Sequence, residues 1–456
     1  MSSLDDIIKA YDVRGTYPDQ VNAALARAIG AAFVRVVGAR TADGGPGAVV
    51  IGHDMRPSGP ELVAAFAQGV MEQGCDVVHI GLASTDGLYY ASGSLGLPGA
   101  MFTASHNPAQ YNGIKLCRAG AVPVGQQTGL AEITRLVREG VPAYGGPHGT
   151  ASERELLADY AHFLRSLVDL EDMRPLKVVV DAGNGMGGYT VPTCLAGLPL
   201  EVVPMYFELD GTFPNHEANP IDPENLRDLQ AAVLAHGADL GLAFDGDADR
   251  CFVVDERGGI VDPSTLTALI ATRELVKAPG AAVIHNLITS HAVPEIIAEH
   301  GGVPVRTRVG HSFIKATMAE TDAIFGGEHS GHFYFRDFWR ADSGMLAALH
   351  TLAALGATPA GTTLSQLLAP FSRYALSGEI NSVVADAAAA TKRVQAAYEA
   401  TADIDWLDGM TVQGDGWWFN LRPSNTEPLL RLNVEAGDAA AVQRIVDEVL
   451  AIVRAA

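Results

Sequence analysis

Leu240-Gly-Leu-Ala-Phe-Asp-Gly-Asp-Ala-Asp-Arg-Cys-Phe-Val-Val254 sets three carboxylates, Asp245, Asp247 and Asp249, at alternate positions of a short loop closed by Arg250. The apolar runs Leu240–Phe244 and Cys251–Val254 read as strands on either side of it. Alternation aims the three side chains one way, and Gly246 lets the backbone curl around a point. Converging carboxylates repel unless a cation sits among them, and hard oxygen donors suit Mg²⁺ or Ca²⁺. An EF-hand loop would need glycine at its sixth position and helices on both flanks. Here the sixth position is Arg250 and the flanks are strand-like, so that reading fails. An arginine beside a carboxylate cage points to an ion that handles an anionic group such as phosphate.

The rest of the chain repeats the pattern. Ala48–Ile51 reads as a strand, Glu61–Gln73 as a helix with Leu62, Val63, Phe66, Val70 and Met71 on one side, and Asp76–Ile80 as a second strand. The apolar run Gly99–Phe102 then delivers Thr103-Ala-Ser-His-Asn-Pro108. A second cycle starts at Lys177–Asp181, passes Glu201–Phe207 and ends in the Asp245 loop. A third starts at Ala281–Ile284, passes Val303–Val309 and ends in Gly326-Gly-Glu-His-Ser-Gly-His332. The tail differs: Glu379–Val384 and Gly416–Leu421 look antiparallel, and Asp438 caps a helix with Val442, Ile445, Val446, Val449 and Leu450 on one face. The expected fold is three similar mixed α/β domains plus a C-terminal α+β domain around a central cleft. The expected boundaries are 1–150, 151–255, 256–370 and 371–456. In open α/β sheets the loops at the carboxyl ends of strands line the ligand crevice.

With 31 basic against 53 acidic residues the net charge is −22, which argues against nucleic acid or an anionic membrane as partner. A phosphorylated substrate then requires arginines and lysines gathered locally. Cys75, Cys117, Cys194 and Cys251 have no metal-binding spacing and read as reduced thiols, and no run of eighteen apolar residues occurs. A cytoplasmic protein is expected. The oligomeric state is left as monomer or dimer.

Four further loops carry chemistry. Ser105 lies on a turn set by Asn107-Pro108, with Lys115 soon after it; a serine that carries phosphate needs an exposed hydroxyl, a cation and basic neighbours. Tyr11-Asp-Val-Arg-Gly15 holds Arg14 in a glycine-closed turn. Glu328 and Ser330 can exchange hydrogen bonds with vicinal sugar hydroxyls. Arg422-Pro-Ser-Asn-Thr426 has the composition of a phosphate nest. A competing motif, Gly183-x-Gly185-x-x-Gly188 after a strand, matches the dinucleotide fingerprint formally. It is weakened by Pro192, early in the helix that would receive the pyrophosphate.

Together, Tyr11–Gly15, Thr103–Pro108, Asp245–Arg250, Gly327–His332 and Arg422–Thr426 resemble the motifs of the α-D-phosphohexomutase superfamily, nearest its bacterial phosphomannomutase/phosphoglucomutases. The resemblance spans the chain, one motif group per expected domain in the family's order. It implies that Ser105 is phosphorylated in the active enzyme and that Asp245, Asp247 and Asp249 hold Mg²⁺ together with an oxygen of that phosphoserine. It implies that Glu328 and Ser330 read sugar hydroxyls, and that Arg422, Ser424, Asn425 and Thr426 hold the phosphate that is not reacting. Arg14, Lys115 and His332 become candidates for proton transfer and leaving-group support. Arg250 and His311 become candidates for substrate contact, with Tyr11 and His106 beside them. The implied reaction interconverts hexose 1- and 6-phosphates, of mannose and of glucose, through a hexose 1,6-bisphosphate. Phosphoglucosamine mutase and a metal-dependent sugar phosphatase are the alternatives. Asn425, where phosphoglucosamine mutases usually have glycine, and the Tyr11-Asp-Val-Arg14 wording disfavour the first.

Overall fold

The computed structural model describes residues 4–8, 11–39, 47–423 and 429–455. They fall into two compact units, one running to Val261 and including Ser330–Leu367, the other comprising Asp262–His329 and the chain from Leu368 onward.

The first unit holds two α/β sheets. β1 (Val13–Thr16), β2 (Ala48–His53), β3 (Asp76–Leu82), β4 (Gly99–Phe102) and β5 (Tyr111–Arg118) lie in the order β1-β5-β4-β2-β3. β4, β2 and β3 are parallel, whereas β1 and β5 run against their neighbours. Helix Ala23–Val37 starts where Asn22 Oδ1 accepts from the Leu25 N–H and stops at Gly38, whose φ of 62° only glycine adopts cheaply. It packs on helix Gly59–Glu72, and Phe33, Phe66 and Phe102 meet with ring centroids 5.9 and 5.4 Å apart. This stack, buried with Ile29, Ile51 and Val70, is the core beneath β4.

In the second sheet β6 (Leu176–Asp181), β7 (Leu200–Met205), β8 (Leu240–Phe244) and β9 (Cys251–Asp255) lie in the order β7-β6-β8-β9. The first two pairings are parallel, and β8–β9 is antiparallel. Every residue of β8 and β9 is buried, the pattern of a strand covered on both faces. The hairpin Phe333–Phe335/Ala341–Asp342 and the buried helix Gly344–Gly356 complete this unit.

The second unit carries a parallel group, β10 (Ala282–Asn286), β11 (Val303–Thr307) and β12 (Phe325–Gly327), in the order β11-β10-β12. It also carries an antiparallel sheet of β13 (Ala375–Val383), β14 (Asp403–Asp405), β15 (Met410–Gly414), β16 (Trp417–Pro423) and β17 (Leu429–Ala436), ordered β13-β17-β16-β15-β14. Asp438 caps helix Ala439–Val453 as expected, and Val442, Ile445, Val446 and Val449 join Phe419 and Leu432 in its core. Three α/β groups and an α+β tail are therefore present. Among the described residues no helix is long and apolar enough to cross a membrane, and all four cysteines are buried thiols outside any disulfide.

Candidate active site

Two loops meet in the first unit, each leaving the carboxyl end of an interior strand. After β4, Ser105 adopts φ 48°, a left-handed conformation that serine rarely takes, while its N–H donates to Thr103 Oγ1 at 2.9 Å. After β8, Asp245, Asp247 and Asp249 turn inward as expected, each offering an oxygen within 4.8 Å of the others. The loops touch through Ser105 Oγ, which donates to Asp245 Oδ2 at 2.7 Å. The expectation of an exposed hydroxyl is corrected here: Ser105 is 2% exposed, because Asp245, His106 and Arg250 close over it.

Gly246 explains the closeness. A Cβ there would lie 2.4 Å from the Ser105 carbonyl oxygen, so only glycine allows the approach. Behind it the Met186 N–H donates to Gly246 O at 2.9 Å. The dinucleotide reading of that neighbouring segment fails in the structure. A Cβ on Gly188 would sit 2.2 Å from the Phe207 carbonyl, so the chain itself covers the helix start where a pyrophosphate would bind. Asp181 instead pairs with His216 at 2.9 Å, and the Gly183–Gly188 segment buttresses the carboxylate loop.

Basic groups gather as the net charge required. Lys115, on β5, places Nζ 2.7 Å from Asp247 Oδ2 and 2.6 Å from Asp249 Oδ2. Burial disfavours its charge, but these two carboxylates outweigh it and hold the ammonium well above its ordinary pKa. The reciprocal effect appears at Asp247, where burial raises the carboxyl but Lys115 brings it below the usual range. Asp245 goes the other way: burial first, then the charges of Asp249 and Asp247, push it well up. Asp247 Oδ1 and Asp249 Oδ1 are buried and have no hydrogen-bond partner. Unsatisfied carboxylate oxygens inside a cage of three acids fit a hard divalent cation, and Asp245, Asp247 and Asp249 would hold it.

Arg250 binds the rest together. Its Nη2 donates to His106 Nδ1 at 2.7 Å, and its Nε donates to His332 Nε2 at 3.2 Å. Arg250, burial and Arg14 keep the His106 imidazole well below its ordinary pKa and therefore neutral. His332 Nδ1 lies 2.9 Å from Ser330 Oγ. Arg14 is not in a turn, as expected, but in β1, because Val13–Thr16 pairs with Tyr111–Ile114 along the sheet edge. From there its Nη1 donates to Asn107 Oδ1 at 2.7 Å and its Nη2 to Asp12 at 2.5 Å. Tyr11, half-buried, lies two residues before this strand.

Ser105, His106, Arg14, Lys115, Arg250, His332 and the three aspartates thus belong to one unit, with Ser330. Glu328 and Arg422 belong to the other. There Glu328 is buried and accepts from the Gly310 N–H at 3.0 Å. Arg422, on β16, meets Glu379 at 3.2 Å. The His311 side chain and Ser424, Asn425 and Thr426 lie outside the described residues.

Sequence reading passed over Thr85. It follows β3, and its hydroxyl donates to Asp247 Oδ2 at 2.6 Å while its N–H donates to the Asp247 carbonyl. Its signal was position: Ser84-Thr85-Asp86 leaves the carboxyl end of a third parallel strand.

The chain matches four family models in succession: phosphoglucomutase/phosphomannomutase α/β/α domains I, II and III over residues 5–141, 158–259 and 262–374, and the C-terminal domain over 379–452. It belongs to the phosphoglucomutase/phosphomannomutase family. It is an enzyme of the phosphohexomutase type. Among its relatives are the phosphohexose mutases of Xanthomonas campestris pv. campestris, 43% identical over 98% of both chains. A phosphomannomutase of Escherichia coli is 40% identical, again over 98% of both. A crystal structure of a family protein from Burkholderia thailandensis superposes with a TM-score of 0.86 at 33% identity, covering 98% of this chain and 97% of that one.

Proposed function

We propose that this phosphohexomutase interconverts the 1- and 6-phosphates of mannose and glucose, with Ser105 as the phosphoryl carrier. The observation that carries the reading is the Ser105 hydroxyl 2.7 Å from Asp245, inside a ring of three carboxylates, Lys115 and Arg250. A carboxylate ring fits a cation, and a cation beside a serine fits a phosphoryl group.

In this cycle phosphorylated Ser105 gives its phosphoryl group to the free hydroxyl of a hexose phosphate. The bond from phosphorus to Ser105 Oγ breaks, the bond to the sugar oxygen forms, and the sugar hydroxyl proton passes to a nearby base. The hexose 1,6-bisphosphate so formed reorients, and its other phosphate returns to Ser105. Mg²⁺ bound by Asp245, Asp247 and Asp249 would neutralise charge on the phosphoryl oxygens. Lys115, held protonated by two carboxylates, is equipped to donate to a departing oxygen rather than to accept a proton. His106, kept neutral, can orient the serine hydroxyl or a phosphate oxygen without adding charge. Arg250 and Arg14 supply fixed positive charge that a phosphate needs in a protein of net charge −22. Glu328 and Ser330 read sugar hydroxyls, and the Arg422 loop grips the distal phosphate. None of these groups is required to contact C2, so both epimers are accepted. Four buried cysteines outside any disulfide support a reducing, cytoplasmic setting.

The test is incubation with [³²P]glucose 1,6-bisphosphate and Mg²⁺, followed by turnover on mannose, glucose and glucosamine phosphates. Stable label on Ser105 with comparable rates on mannose and glucose is expected. Release of inorganic phosphate would make the protein a phosphatase, and preference for glucosamine phosphate would make it a phosphoglucosamine mutase.

A further inference from the structure

Arg56 takes part in none of the steps above, yet its side chain is fully buried, just past the end of β2. Its Nη1 donates to the carbonyls of Pro108 and Tyr111 at 2.9 and 2.8 Å. Its Nη2 donates to the carbonyls of Ser105 and Asn107 at 2.9 and 2.6 Å. Four backbone oxygens, three of the serine loop and one of the first residue of β5, therefore converge on one guanidinium. The plane is held from behind by Asp54, equally buried, whose Oδ1 accepts the Arg56 N–H at 2.9 Å and whose Oδ2 lies 3.3 Å from Nε in an ion pair. The Phe213 ring covers the guanidinium at 5.1 Å from its centroid.

From this geometry we infer that Arg56 is the positioning residue of the phosphoryl-carrying loop, which rests on the reading of Ser105 as the carrier. Asp54 is its anchor. The loop needs such a part. Ser105 sits at φ 48°, a strained conformation for serine that persists only where its surroundings impose it. Turning a carbonyl toward a different partner would rotate the peptide that carries the serine. With all four carbonyls fixed, Oγ is held facing Asp245. Lysine cannot replace this fork. An ammonium has three donors around a point, whereas the guanidinium presents two pairs in a plane. The bland alternative, that Arg56 merely adds stability, predicts no selective effect on the chemical step.

The experiment uses the full chain with R56K, D54N and I29A. Ile29 is a buried core residue of helix Ala23–Val37, so I29A lowers stability at a position outside the serine loop and its clamp. Turnover on glucose 1-phosphate, its KM, and the rate of ³²P transfer from glucose 1,6-bisphosphate to Ser105 are measured with each melting temperature. In R56K, kcat and the labelling rate are expected to fall together, on the order of 10²-fold, with KM nearly constant, because a loop displaced by about 1 Å loses that much alignment. I29A is expected to keep its kcat despite a lower melting temperature. Should R56K not fold, D54N decides, since it keeps Arg56 but removes the charge that holds the guanidinium plane from behind, and so loosens its grip on the four carbonyls. A fall in kcat at constant KM then supports the inference, and an unchanged kcat overturns it. Wild-type turnover in folded R56K, or an equal loss in I29A, overturns it too. A wild-type enzyme that turns over without label on Ser105 would overturn the carrier reading and this inference with it.

Discussion

Ser105 Oγ and Asp245 Oδ2 are 2.7 Å apart although 140 positions separate them in the chain. The contact joins the serine proposed as phosphate carrier to a carboxylate that burial and its neighbours push well above its usual pKa. A phosphate on Ser105 has to grow out of that contact, beside the cage. In S105A turnover is therefore expected to fall below ~10⁻³ of wild type, with no label from bisphosphate, as for loss of a nucleophile. In D245N the shape is kept and one negative charge is lost, so the Mg²⁺-dependent rise in melting temperature should shrink. Thermal melts with and without Mg²⁺, alongside kinetics, check both.

Gly246 tests the loop contact by steric means. Its backbone is not left-handed, so the obstacle to alanine is steric: the Ser105 carbonyl oxygen, 2.4 Å from its Cβ, while Ala218 at 3.7 Å is an ordinary contact. The loops have to part by about 1 Å, and G246A is expected to lose about 10²-fold in kcat and roughly 1–3 kcal/mol in stability. Urea unfolding and steady-state kinetics read the two effects separately.

Asp86 predicts a pH dependence outside the cage. Burial raises its carboxyl to about 6, against the combined pull of hydrogen bonds from Ser343, Ser84 and Tyr160. A carboxyl whose folded pKa lies above its unfolded value of 3.8 favours the native state when protonated. That contribution is complete below pH ~4 and is lost as pH rises through ~6, worth about 3 kcal/mol. D86N cannot titrate. The wild-type stability relative to D86N should accordingly decline between pH 4 and pH 7, measured by chemical denaturation at each pH.

Arg422 is buried against Glu379, and burial lowers its pKa while the carboxylate holds it charged. If it grips the non-reacting phosphate, R422A removes a charge-assisted hydrogen bond of about 1.5–3 kcal/mol made in ground and transition states alike. KM for glucose 1-phosphate should rise ~10- to 100-fold with kcat much less affected. A selective loss of kcat would assign Arg422 to the chemistry instead.

Much of this was legible because strands and loops announce themselves locally. Leu240–Phe244 and Cys251–Val254 read as strands from composition alone, and alternation aimed three aspartates one way. Arg14 was misplaced because Val-Arg-Gly-Thr lacks a strand's apolar alternation; its strand exists through pairing with Tyr111–Ile114. The exposure of Ser105 was misjudged for a related reason. Short polar residues signal a turn, but whether a turn meets water depends on what packs over it.

By itself, then, the chain determined its three α/β groups and α+β tail, its acid loop and its serine turn, since period, composition and spacing are properties of neighbouring residues. Only the tertiary structure decided that Lys115 lies against Asp247 and Asp249, that Asp86 receives Ser343 from 257 positions away, and that Arg56 closes on four carbonyls of the serine loop and the start of β5. These contacts depend on how sheets stack and where backbone oxygens point. A buried charge settles where folding leaves unpaired partners, and no local pattern records that.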